Sequence, residues 1–281
     1  MEAHYKVSPS VSPTPTSQPR SPFLSRSSSN GSITSGLQER DVQLTATAKR
    51  QKYFRRLFKF RQMDFEYAFW QMIYLFVAPQ KVYRNFQYRK QTKDQWARDD
   101  PAFLVLLAFW LCVSSIGYAL VLNLGFLGCI KFLLWVIFID CIGVGMLIAT
   151  IFWFITNRYM LVSPPRGQDV EWAYAFDVHL NAFFPLVMIL HLFQLPFLNH
   201  FLYSQLFLSA LFGNTFWLVA SCYYNYITFL GYSALPYLKN TRALLFPFTG
   251  AIIMYILCLV LSLNLNKLMA TFYYYRLGLK E

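Results

Sequence analysis

AFLVLLAFWLCVSSIGYALVL (102–122) and FLLWVIFIDCIGVGMLIATIFWFI (132–155) decide the fold. Each is an unbroken apolar run, and the two together hold one carboxylate, Asp140, and no Lys or Arg. A helix rises about 1.5 Å per residue, so roughly 20 apolar residues cross a hydrocarbon core ~30 Å thick. Three more runs of this kind follow at 180–198, 206–229 and 244–263. The pattern predicts an all-α, multispanning membrane protein with five transmembrane helices over 102–122, 132–155, 180–198, 206–229 and 244–263.

The rest of the chain agrees. Of its 281 residues 56% are hydrophobic and only 14% charged, against about 25% charged in a soluble domain. The five cysteines, Cys112, Cys129, Cys141, Cys222 and Cys258, fall in or beside the runs without CxxC spacing. They read as small packing residues rather than a disulfide framework or zinc site. No continuous apolar segment near Met1 has the length of a cleavable signal, so the first run is expected to direct insertion.

Charge is distributed unevenly. Residues 1–101 carry 17 Lys/Arg and 8 Asp/Glu, whereas the remaining 180 carry 8 and 5. Residues 1–47 form a Ser/Pro-rich stretch with too little apolar surface to offset ordering entropy, and read as a disordered cytosolic tail. Residues 48–101 form a basic cytosolic head. Within it Lys49, Arg50, Lys52, Arg55, Arg56, Lys59 and Arg61 alternate with aromatic and aliphatic residues, the pattern of a basic amphipathic helix at an anionic membrane surface. The same run could contact RNA, since cations neutralise phosphates and aromatic rings stack on bases. Residues 64–79 are aromatic but interrupted by Glu66 and Gln71, which suits an interfacial or protein-packed helix, and 81–100 reads as a polar connector. Residues 102–263 make the membrane domain and 264–281 a lumenal tail. Cytosolic loops carry the excess of Lys and Arg, so the head, loop 156–179 and loop 230–243 are assigned to the cytosol.

Chemistry-bearing residues are few. Asp140, with His191 and Asn214 or Asn225 as partners by residue type, is the intramembrane polar candidate, because an acid at membrane depth is costly and often functional. The segment GQDVEWAYAFDVHLNAFFP (167–185) concentrates Asp169, Glu171, Asp177, His179 and Asn181. Asp177 and His179 are two apart and do not share a helix face, so this segment reads as a rim that hydrogen-bonds the connector ahead of the first span. Pro185 and Pro196 are expected to bend the third span. No Walker loop, GxSxG or HExxH motif occurs, and neither an enzymatic activity nor a cofactor is expected.

Four blocks, FRRLFKFRQMDFEYAFWQMIYLF (54–76), VYRNFQYRKQTKDQWARDDPAFLVLL (82–107), DVEWAYAFDVHLNAFFP (169–185) and YITFLGYSALPYL (226–238), resemble the Unc-fifty family. The resemblance covers residues 45–275 and leaves the Ser/Pro-rich tail outside. It implies a five-span Golgi membrane protein that supports surface expression of nicotinic acetylcholine receptors, whose subunits would be cargo. It also implies recruitment of large Golgi Arf guanine-nucleotide exchange factors. A vertebrate member with RNA binding at the inner nuclear membrane supplies a competing reading, and a small-solute or proton transporter using Asp140 supplies another. On the leading reading the partners are Golgi membrane lipids and the exchange factor, docked through Arg89, Lys90, Lys93, Trp96, Arg98, Asp99 and Asp100.

Five crossings from a cytosolic head leave the C-terminus in the lumen. Protease added to sealed microsomes should remove an N-terminal tag and spare a C-terminal one. Digestion of both would require 64–79 to be a sixth crossing.

Overall fold

Asp64 and Pro79 set the limits of the first helix, α1 (Phe65–Val77). The Asp64 carboxylate accepts the Tyr67 backbone N–H at 2.9 Å, as an acidic N-cap does. Pro79 disfavours helical geometry at Ala78, so α1 stops there and Pro79 opens α2 (Pro79–Lys93) in its first turn. Ala68, Gln71, Met72 and Leu75 bury one face of α1, while Phe69, Ile73 and Val77 leave an apolar face exposed. The hairpin tip lies against the bundle, where the Tyr223 hydroxyl is 2.9 Å from the carbonyls of both Leu75 and Phe76. It thereby satisfies acceptors that a helix C-terminus leaves open. Thirteen residues reach only about 20 Å, so α1 turns back rather than crossing. Most of segment 81–100, the polar connector, is helical as α2, with Val82, Tyr83 and Phe86 buried.

This computed structural model describes residues 57, 59–93, 96–98, 100–162, 169–204 and 206–278. The Ser/Pro-rich tail and Lys49, Arg50, Lys52, Arg55 and Arg56 lie outside them. Lys59 and Arg61 are exposed, and Phe60–Gln62 forms a single 3-10 turn, so the basic run does not continue as one helix into α1.

Seven more helices follow: α3 (Ala102–Val121), α4 (Phe126–Met160), α5 (Trp172–Phe193), α6 (Leu195–Tyr203), α7 (Phe207–Ser233), α8 (Thr241–Val260) and α9 (Leu265–Leu277). Four of them, α3, α4, α5 and α8, are long and apolar enough to cross a bilayer. The chain is an all-α, multispanning membrane protein. The expected fourth span is the core of α7, whose 27 residues suffice in length. Asn214, Thr215, Tyr223, Tyr224, Asn225 and Tyr226 lower its hydropathy, and five of these six side chains hydrogen-bond to neighbouring helices or loops.

Burial ranks the spans. In α5, 72% of the apolar window is buried; in α8, only 11%. The first is therefore the central post and the second a lipid-facing flank. The third span runs eight residues earlier than its apolar run suggests, because Asp177, His179 and Asn181 are helical and paired. Pro196 opens α6, and the turn before it is π-helical (Met188–Phe193). A second π segment, Val136–Gly143, widens α4 around Asp140.

At one end the chain after α4 pairs with the chain after α7. Leu161 and Leu238 form an antiparallel bridge, flanked by Val162 N–H to Tyr237 O at 3.0 Å and Lys239 N–H to Met160 O at 2.8 Å. Gln87 of α2 reaches the Ala234 carbonyl at 2.9 Å, so the head and both loops meet at this end. At the other end residues 264–277 are not a free tail. Helix α9 packs back on the bundle: Asn214 donates to Leu263 O at 2.8 Å and accepts the Leu265 N–H at 2.9 Å. Gly213 allows that approach, since a Cβ there would lie 2.5 Å from the Asn266 side-chain amide.

Asp100 ties two helix starts together, accepting the Asp64 N–H at 2.8 Å and the Ala102 N–H at 3.1 Å. Asp100→Ala should cost about 1–2 kcal/mol. A thermal melt of the purified protein checks it, and Asp100→Asn should retain most of the stability.

Candidate functional site

Arg98 is the most constrained polar residue at the end where the head meets the loops. It is only 7% exposed. Its backbone N–H donates to Asp177 Oδ2 at 2.6 Å and its guanidinium donates to Asn181 Oδ1. Asp177 and Asn181 are four apart on α5 and so present one face to it. The guanidinium also sits over the Phe103 ring, 4.0 Å from its centroid, and 5.4 Å from that of Phe86. A planar, weakly hydrated cation between aromatic faces is a favourable arrangement when desolvated. Around it Trp96 packs edge-on to Tyr174 and Tyr237, and Tyr174 donates to Gly231 O at 2.7 Å. Asn181 also reaches the Tyr83 hydroxyl at 3.5 Å. Burial pushes the Tyr83 phenol well above its ordinary value, with Asn181 and Arg98 offsetting part of the rise.

These contacts reassign several expected docking residues. Trp96, at 5% exposure, and Arg98 belong to the interior. Asp100 is a helix cap. The side chains of Arg89, Lys90 and Lys93, and the whole of Asp99, lie outside the described residues. The rim formed by Asp177 and Asn181 does hydrogen-bond the segment ahead of α3, as its residue types suggest.

The intramembrane polar residues are not brought together. Asp140 accepts from the Tyr273 hydroxyl of α9 at 3.0 Å. His191 packs beside the Tyr118 ring, 4.7 Å between centroids, and Asn214 holds the corner before α9. The Asp–His relay expected of a transporter is therefore not assembled from Asp140 and His191. Tyr273 was hidden from sequence reading because it lies 133 residues away, in a segment that looks like a tail. His179 faces away from Arg98: its Nε2 lies 3.2 Å from Cys141 O and its Nδ1 2.8 Å from the Tyr224 hydroxyl. Gly145 makes room, because a Cβ there would fall 2.5 Å from the imidazole. Among the described residues no three His, Cys, Asp or Glu side chains cluster as a metal site would require.

Comparison with known proteins adds the relationship. A family model described as the UNC-50 family matches residues 53–274. "Protein unc-50 homolog" of Homo sapiens is 64% identical over 232 residues, covering 83% of this chain and 90% of that protein. The homologue of Rattus norvegicus is 63% identical with the same coverage. That of Drosophila melanogaster is 55% identical over 233 residues, covering 83% and 84%. No solved structure matches the chain.

Removing the Arg98 side chain takes the guanidinium donor from Asn181 and leaves the backbone bond to Asp177 in place, whereas removing Asn181 leaves a buried cation short of an acceptor. Arg98→Ala and Asn181→Leu should each cost about 3–5 kcal/mol, and Arg98→Lys should rescue little because it lacks the planar fork. Limited proteolysis near residue 94 should accelerate in all three. By contrast, Asp140→Leu removes one interhelical bond worth about 1 kcal/mol and should leave the melting profile nearly unchanged.

Proposed function

The chain belongs to the UNC-50 family, and from that premise we propose that it is a Golgi membrane protein of vesicular traffic acting as a docking scaffold. In this reading α7 completes five crossings, and the end carrying the head and the two loops faces the cytosol. The large Golgi Arf guanine-nucleotide exchange factor docks there, and delivery of nicotinic receptor subunits to the surface is a downstream consequence.

The observation that carries the reading is the construction of that end. The Arg98 contacts, the Trp96–Tyr174–Tyr237 cluster and the Leu161–Leu238 bridge join the head, loop 156–179 and loop 230–243 into one surface. Lys59, Arg61, Arg158, Lys239 and Arg242 stand exposed on it. Fixed cations around a preformed face suit an acidic protein surface or anionic headgroups, and they steer encounter more than they add affinity.

Replacing Arg158, Lys239 and Arg242 together by Glu tests the reading without touching the buried contacts. Recruitment of the exchange factor to Golgi membranes should fall to background, while abundance and location of the variant stay normal. Undiminished recruitment by that variant would refute the docking assignment.

A further inference from the structure

Between α4 and α8 the bundle leaves a cavity of about 390 Å³. Its flanks are apolar, with Val144 and Ile148 of α4 on one side and Ala251 of α8 on the other. Both helices are largely unburied, and the neighbouring Leu147, Ile252 and Ile253 point outward. The cavity therefore opens sideways, toward hydrocarbon. Asp140, His179, Ser221, Tyr224 and Asn225 bring polar groups into a lining that also holds Phe183, Leu186 and Pro247.

The hydrogen-bond directions there are fixed by chemistry. A carbonyl only accepts, so His179 Nε2 carries the proton donated to Cys141 O. Nδ1 is then bare and accepts the Tyr224 O–H. The Tyr224 proton is committed to the imidazole and its oxygen remains an acceptor. One Asp140 oxygen takes the Tyr273 hydroxyl, and the carboxylate keeps further acceptor capacity. The cavity thus offers acceptors at Asp140 and Tyr224, beside a Ser221 hydroxyl and an Asn225 amide that can each donate and accept, and no Lys or Arg lines it. A phosphate or carboxylate headgroup would find no counter-ion there. A neutral group that donates a proton is matched.

We propose that this cavity binds a neutral, hydroxyl-bearing lipid drawn from the bilayer. The lipid hydroxyl donates to the acceptors at Asp140 and Tyr224, and its hydrocarbon body lies between α4 and α8. The site is separate from the cytosolic docking face and needs no covalent chemistry.

Photo-crosslinking of the full chain in nanodiscs tests it, with alkyne-tagged photoactivatable cholesterol, diacylglycerol and phosphatidylcholine as probes. Cholesterol or diacylglycerol should label peptides spanning 140–151 and 247–256, and an excess of the untagged lipid should remove the label. Ala251→Phe, which fills the cavity from its lipid-facing wall, should reduce labelling about tenfold. Ile148→Trp serves the same purpose from the opposite flank should Ala251→Phe fail to fold. Equal labelling by phosphatidylcholine, labelling that the untagged lipid does not displace, or full labelling of a folded cavity-filled variant would overturn the proposal.

Discussion

A guanidinium does not lose its proton in a protein, so burying Arg98 obliges the surrounding structure to match a permanent charge. The match is made by residues from three separate parts of the chain. Asn181 comes from the central helix α5, Phe86 from α2 and Phe103 from the first turn of α3, while the Arg98 backbone bonds to Asp177. None of these positions can shift alone without exposing or stranding the cation. The head is consequently part of the membrane bundle rather than a module lying beside it.

The same economy of polar groups runs through the spans. Several of those at depth have a structural partner that determines helix placement. Tyr223 closes the C-terminus of α1, Asn214 closes the corner before α9, and Tyr273 ties α9 to Asp140. Polar side chains make α7 a weak candidate by hydropathy, yet they let it touch α1, α5, α8 and α9. A helix surrounded by protein on several sides does not need an apolar surface all round. The proposed docking at the loop end and the proposed lipid binding within the bundle are compatible, since Asp177 and Asn181 face one way from α5 and His179 the other.

Much of this was legible in the chain. The start of α3 follows from Pro101 and an unbroken apolar run, and the rim that bonds the segment ahead of it from the polar residue types gathered in 167–185. What escaped was tertiary. Trp96 and Arg98 look like surface residues in a charged connector, and only the fold brings rings and acceptors around them. The polar face of α2 masked its three buried residues, and the cations Lys267 and Arg276 made α9 resemble a solvated tail. Arg276 instead rests over Trp135 and Phe272, its stem and charge both in use. The Asp140 partner was assigned by residue type among the spans, whereas the actual donor is a tyrosine beyond them.

Hydrogen–deuterium exchange on the intact wild-type protein in nanodiscs tests the central claim, that the head is welded to the bundle through Arg98. Amides of α1 and α2 should exchange on the slow timescale of α5, opening only with the bundle as a whole. Exchange of α1 and α2 within seconds, while α5 stays protected, would contradict it.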